Sequence, residues 1–435
     1  MPLPEALRTR RPGLAKLAEQ ALAEPEHGVL YHFKSRLLNV LGPERAQEAL
    51  GAFLADFGPV RRSSGPLERL WDVAQDQAVC LTHTRAESLQ LPGAPLLDGH
   101  RSPPFTVDAR ALFVTLLEDA TTYGGSNLRS IGVSVLSDIQ GNEAERYLTN
   151  WWFDPIISGR DGADTLYHLP TDVALHLSEA IDLTGAFSQG WGHCVREFVP
   201  KLRLADTVAE VAANVPILVD ADLPQAHYDL LQFVSPRREQ IKLGFRQAAR
   251  VSKLWAGSSP EYWPVLRAPG QLLRPELSSI NPIGLARLLR RLPPLPMPGD
   301  PALRRVFLAR SGDVRLANEA EVIARLEREG FVAVYPERLS VHEQLRLARN
   351  ATHVAGAWGS QLMLAVLFGN PELRVLVLSG PQMEEGPSLT AVYEARGQRV
   401  LVLTGHERTP NPRLPYNSLY TVETDVLDAA LAQWL

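Results

Sequence analysis

Residues 304–368 read RRVFLARSGDVRLANEAEVIARLEREGFVAVYPERLSVHEQLRLARNATHVAGAWGSQLMLAVLF, and two kinds of spacing alternate along them. Arg305-Val306-Phe307-Leu308-Ala309-Arg310 is a short apolar run ending in a cation, the pattern of a buried strand. Arg315 follows in a loop, and Asn318 with Glu321 three residues on marks a helix start. The same rhythm continues to residue 404. Strands are predicted over 305–308, 332–335, 353–356, 375–379 and 400–404, and helices over 319–329, 341–349, 361–368 and about 388–396. Such alternation implies a parallel sheet with right-handed crossovers. Strand ends that place arginines beside helix N-termini are where such a sheet binds phosphate.

Upstream the pattern is looser. Proline and glycine are dense over 255–301, and PPLPMPG at 293–299 reads as an interdomain linker. Strand-like runs occupy 111–117 and 132–136, the second leading to Asp138, with Tyr123-Gly124-Gly125-Ser126-Asn127 as turn chemistry between them. A strand-to-helix passage spans 191–204, followed by a strand at 215–220 and a helix at 226–233. Residues 12–57 have helical periodicity, whose bland reading is a helix packed on the main body. The expected division is a helical extension over 1–105, a Rossmann-like domain over 106–292 and a second one over 300–435.

A chain of 435 residues exceeds one ordinary core, so two packed domains are expected. With 44 basic and 49 acidic residues it lacks the basic excess of a nucleic-acid binder. Cys80 and Cys194 give no disulfide framework and no CxxC metal knuckle, which suits a reducing cytoplasm. The first residues carry a basic cluster but no apolar core of signal-peptide length. No stretch approaches the roughly 18 apolar residues that cross a bilayer, so membrane association is expected to be peripheral, at the inner face, if it occurs.

Four motifs carry chemistry, each with a plainer reading beside it. Arg310 and Arg315 flank a loop between a strand and a helix, and two guanidiniums there suit a diphosphate; a solvated basic loop is the plain reading. In Gly190-Trp191-Gly192-His193-Cys194-Val195-Arg196-Glu197, His193 and Glu197 lie four apart on one helix face. A histidine tuned by a carboxylate takes a proton from a hydroxyl near neutral pH; a helix-surface pair is the plain reading. Gly356-Ala357-Trp358-Gly359-Ser360-Gln361 is a small-residue turn into a helix, where free N–H groups hold a phosphate or sugar oxygen. Packing alone would explain it too. Asp220-Ala221-Asp222 after a strand has the spacing of a divalent-ion clamp on a nucleotide diphosphate, although acids often follow strands as turn residues. There is no Walker loop, no GxGxxG after a strand, no HExxH and no GxSxG.

Taken in order, these segments resemble glycosyltransferase family 61, often described as capsular polysaccharide biosynthesis proteins. Residues 190–202 (GWGHCVREFVPKL) are similar to the family's "nYgHWllE-lPrL". Arg310, Arg315, Asn318 and Glu319 match its "R-R-NE", and 330–344 its "GF–v–pe-lsv-eQ". Where the family has "GaHGa-ltN", Trp358 stands in place of the histidine, and an indole there could stack on a base or sugar face. The resemblance implies a GT-B-like α/β fold, with two Rossmann-like domains facing across a cleft. It also implies inverting, metal-independent transfer of a hexose or pentose from a nucleotide sugar, UDP-linked by preference, to a glycan or polysaccharide acceptor, with no cofactor. His193 would act as base, oriented by Glu197, with Asp138 a weaker candidate. Arg310 and Arg315 would clamp the diphosphate, Gly356, Trp358, Gly359 and Ser360 would shape the donor pocket, Glu319 would reach the ribose, and Asn318 would cap its helix. A metal-dependent transferase using Asp220 and Asp222, and a catalytically silent binding subunit, are the alternatives. An oligomer is left open.

Overall fold

The computed structural model describes residues 43–56, 60–77, 79–96, 100–138, 154–161, 164–262, 279–290, 303–312, 315–381, 387–410 and 418–435, with a few positions before 42. The linker expected at 293–299 and most of the helix expected before residue 42 lie outside them. The chain forms two compact units, one of residues 1–83 and 112–266, the other of residues 84–111 and 267–435. No helix among the described residues is long and apolar enough to cross a membrane.

The main sheet of the first unit contains β1 (Leu67–Arg69), β2 (Leu112–Tyr123), β3 (Leu128–Ile131), β4 (Ser134–Ser137), β5 (Val173–Asp182), β6 (Ile217–Asp220), β7 (Gln240–Leu243) and β8 (Ala248–Gly257). Their order is β7-β6-β5-β8-β2-β3-β4-β1. From β7 to β8 the neighbours are parallel, as a Rossmann-like sheet requires. Beyond β8 the pairing changes: β8 pairs antiparallel with β2, while β2, β3 and β4 form an antiparallel meander, and only the edge strand β1 returns to parallel pairing, with β4. The physical reason is chain length, because two of these connections are tight turns at 124–127 and 132–133. Turns so short can join only antiparallel strands. The expected Rossmann-like sheet is therefore realised over half of its width.

Upstream, Pro43–Asp56 is helical as its periodicity predicts, but the helical extension expected up to residue 105 ends there. Val60–Gly65, Leu67–Arg69, Cys80–Thr84 and Glu87–Leu91 are strands. From Arg62 to Gly65 burial alternates along the chain, the period-two signature of an extended segment. Glu87–Leu91 pairs with Phe105–Ala109 inside the second unit.

That second unit holds the parallel sheet read from the sequence: β9 (Arg305–Leu308), β10 (Val332–Val334), β11 (His353–Ala357), β12 (Arg374–Ser379) and β13 (Arg399–Thr404). The order is β10-β9-β11-β12-β13, with every neighbouring pair parallel. Val375-Leu376-Val377-Leu378 and Val400-Leu401-Val402-Leu403 are continuous apolar runs because both faces of these strands are buried. One face packs Phe307, Ala355, Leu376 and Leu401 with Leu326, Leu431 and Trp434. Each fully buried Leu or Phe there stabilises by roughly 1.5–3 kcal/mol relative to exposure.

The intervening helices are α1 (Glu319–Glu327), α2 (Val341–Asn350), α3 (Ser360–Leu367) and α4 (Pro387–Ala395). Ser340 starts α2 with a complete capping box, its hydroxyl accepting from Glu343 N–H while Glu343 accepts from Ser340 N–H. Gly330 follows α1 at φ 78°, a left-handed stop that glycine takes without a Cβ penalty.

Candidate functional site

In the second unit the strand order reverses at β9 and β11, both of which run outward from the middle of the sheet. Open parallel sheets bind ligands at the carboxyl ends of strands on either side of such a switch point. Arg310 follows β9 there, and Trp358 and Gly359 follow β11. Arg310, Arg315, Glu319, Trp358, Gly359 and Ser360 are all half-buried, placed to meet a ligand and the core at once. Gly356 lies beneath them, paired in register with Leu308 and buried. The Trp358 N–H is tied to Leu378 O at 2.7 Å. Gly359 opens α3, and a Cβ on it would sit 3.3 Å from Arg310 Nη1 and 2.3 Å from Gln361 Oε1.

The two arginines are held by different means. Leu316 bridges Tyr420, Tyr420 N–H donates to Arg315 O at 2.9 Å, and Ala317 N–H donates to Tyr420 O at 2.7 Å. Tyr420, which the sequence reading did not single out, therefore fixes the loop carrying Arg315. Burial pushes its phenol well above the usual range, with Arg315, Glu319 and Arg310 all within electrostatic reach. Its hydroxyl donates to Leu378 O at 2.8 Å.

One expectation in this unit needs correction, the cap at Asn318, and Glu319 has a partner within the chain. Asn318 precedes α1, but its side chain makes no capping bond. Its Nδ2 donates to Val422 O at 2.8 Å and its Oδ1 accepts from Val422 N–H at 3.1 Å, stitching α1 to the segment after Tyr420. Glu319 is engaged within the protein: its carboxylate accepts from the main-chain N–H of Arg310, and burial pushes its pKa upward against that bond. Glu337 likewise accepts from Ser311 N–H at 2.6 Å. The amides just after β9 are therefore occupied by carboxylates.

The first unit contains the second cluster. Trp191–His193 begins an α-helix, Cys194–Phe198 is a single π-turn, and Val199–Ala205 resumes the α-helix. Pro200 explains the widening: it has no N–H to give to Arg196 O, and its ring crowds that carbonyl. Val199 N–H instead reaches Cys194 O, five residues back. His193 and Glu197 still meet, Nδ1 to Oε2 at 3.2 Å. His193 is 28% exposed and Glu197 6%, and Phe187 stacks on the imidazole at 4.8 Å.

Glu197 is anchored from below. Lys201 Nζ donates to Glu197 Oε1 at 2.9 Å and to Asp138 Oδ2 at 2.7 Å. Burial alone would raise the Glu197 carboxyl, but the Lys201 charge and the bonds from His193 and Lys201 hold it down to about 2. Arg129 Nη1 lies 3.5 Å behind Asp138, and its Nε donates to Asp182 Oδ2 at 2.6 Å. Asp182 also accepts from Thr122 and Thr184. Lys201 was legible in principle, since residues 193, 197 and 201 fall four apart on one helix face. Arg129 and Asp182 come from separate strands and leave no local signal.

Asp220 has a structural task. Its Oδ1 accepts from Gly125 N–H at 2.6 Å and its Oδ2 from Gly185 N–H at 3.0 Å, so both oxygens face inward. Burial outweighs these donors and pushes the carboxyl up to about 7. Asp222 is exposed. One carboxylate of the pair is thus buried and bonded to backbone amides, while the other stands at the surface.

No curated protein matches the chain. The family model for Glycosyltransferase 61 matches residues 191–376, a span that opens on the His193 helix and takes in Arg310, Arg315 and the Gly359 turn. Over that span the chain is similar to glycosyltransferase family 61, and this likeness supports a glycosyltransferase.

Proposed function

We propose that the chain transfers a sugar, with inversion and without a metal ion, from a nucleotide-sugar donor to a hydroxyl of a glycan or surface polysaccharide. The acceptor oxygen attacks the anomeric carbon while its proton passes to His193. The bond to the diphosphate oxygen breaks, and the electron pair leaves with the nucleoside diphosphate. Arg310 and Arg315 neutralise that leaving charge with fixed guanidiniums, which removes the need for a divalent ion. Glu197 stabilises the imidazolium as it forms.

The observation that carries this reading is the position of Arg310 at the switch point of a parallel sheet, against the backbone of Gly359. A thermal-shift screen over UDP-, GDP-, CDP- and TDP-linked sugars tests it, since a ligand that binds only the folded state raises the melting temperature by mass action. At least one should stabilise the protein. Arg310→Ala should cut that ligand's affinity by about 10- to 100-fold, the ~1.5–3 kcal/mol of a charge-assisted hydrogen bond. Unchanged affinity would remove Arg310 from the site.

Trp358 supports a second reading, a catalytically silent subunit that binds donor and scaffolds polysaccharide assembly. Its indole stands half-buried where the family pattern has a histidine, and it can stack on a ring but not exchange protons. Donor binding without turnover, across a panel of acceptors, would select it.

A further inference from the structure

Lys201 is buried to 1% side-chain exposure at the foot of the His193 cluster, and its ammonium touches two carboxylates. A trio of this kind is an indifferent source of stability, since well-packed apolar residues of similar volume stabilise a core as well or better. Its geometry has a chemical consequence. Lys201 claims Glu197 Oε1, which leaves Oε2 for the imidazole. Beside a buried ammonium Glu197 stays ionised and can only accept hydrogen bonds. The hydrogen in the Nδ1···Oε2 contact must then belong to the imidazole. A neutral His193 so constrained keeps its lone pair on Nε2, the nitrogen turned away from Glu197.

We infer that Lys201 is a positioning residue: through Glu197 it fixes His193 as the Nδ1–H tautomer, with Nε2 as the proton acceptor. The role deepens the reading of His193 as the base and rests on it. Asp138 is the anchor that keeps the ammonium in place, and Arg129 with Asp182 offsets the charge of that anchor. Among the described residues these are the charged groups that face the pair from the helix and from the strands behind it. Arg196, on the same helix, is taken by Glu261 and by Gly192 O. Phe187 covers one face of the ring.

The tautomer is read directly from imidazole nitrogen chemical shifts of the full chain carrying 15N-histidine, above the histidine titration and without substrate. The wild type should show a protonated Nδ1 and a bare Nε2 at His193. Lys201→Met should abolish that preference, and Lys201→Arg should keep it. If Lys201→Met does not fold, Glu197→Gln decides: Lys201 would claim the amide oxygen, the NH2 would turn to Nδ1, and the proton would move to Nε2. A wild type protonated on Nε2, or a tautomer unmoved by Lys201→Met or by Glu197→Gln, overturns the assignment. Because no substrate is present, an inactive transferase would leave this result standing, so the two readings fail separately.

Discussion

Gly359 faces the Arg310 guanidinium across the switch point of the parallel sheet: a single methyl group on Gly359 would lie 3.3 Å from Nη1. The same methyl would fall 2.3 Å from Gln361 Oε1, inside any tolerable contact. Gln361 cannot step aside freely, because its Nε2 donates to Ala357 O at 2.6 Å.

Gly359→Ala should therefore leave the sheet folded while displacing Gln361 and then Arg310. Affinity for nucleoside diphosphates is expected to fall about tenfold, ~1.4 kcal/mol, with little change in far-UV circular dichroism. Titration calorimetry measures it. An alanine variant that binds as tightly as the wild type would show that this turn lies outside the pocket.

Asn318→Ala separates a structural residue from the neighbouring arginines proposed to hold the diphosphate. Two hydrogen bonds to the Val422 backbone disappear, and the expected loss is about 1–2 kcal/mol, seen as a lower melting temperature. Nucleoside diphosphate affinity, measured well below that temperature, should stay within twofold of the wild type. A selective loss of binding at unchanged stability would return Asn318 to the donor site.

The acid limb of stability carries the signature of Glu197. Its folded value, about 2, lies below the ordinary 4.5, so the unfolded chain binds the proton more readily. The contribution is present above about pH 4.5 and is lost as pH falls toward 2. Thermal unfolding of wild type and Glu197→Gln should thus differ most at neutral pH and converge through that window. Parallel curves across it would mean that Glu197 is not ionised in the fold.

The C-terminal sheet was legible from sequence nearly residue by residue. Runs such as Val375-Leu376-Val377-Leu378 and Val400-Leu401-Val402-Leu403 bury both faces, and apolar content plus helix-start residues is all that a βα repeat requires. The first unit was less legible. Nothing in the spacing of Leu112–Tyr123 says whether its neighbour runs parallel or antiparallel, and that choice was settled by turn length and by the partner strand Ala248–Gly257.

The candidate site divides in the same way. Sequence alone determined which chemistries the chain carries: two arginines after a strand, and a histidine four residues before a glutamate on a helix. Those are local spacings, and local backbone geometry converts them into shared faces and strand ends. Tertiary structure alone decided how those groups are used. It turned Asn318 toward Val422, placed Glu319 on the Arg310 amide, spent Asp220 on two glycine amides and drew Asp138, Arg129 and Asp182 together behind Lys201. Apart from Glu319 and Arg310, these partners lie far apart in the chain, and only packing brings them within hydrogen-bond distance.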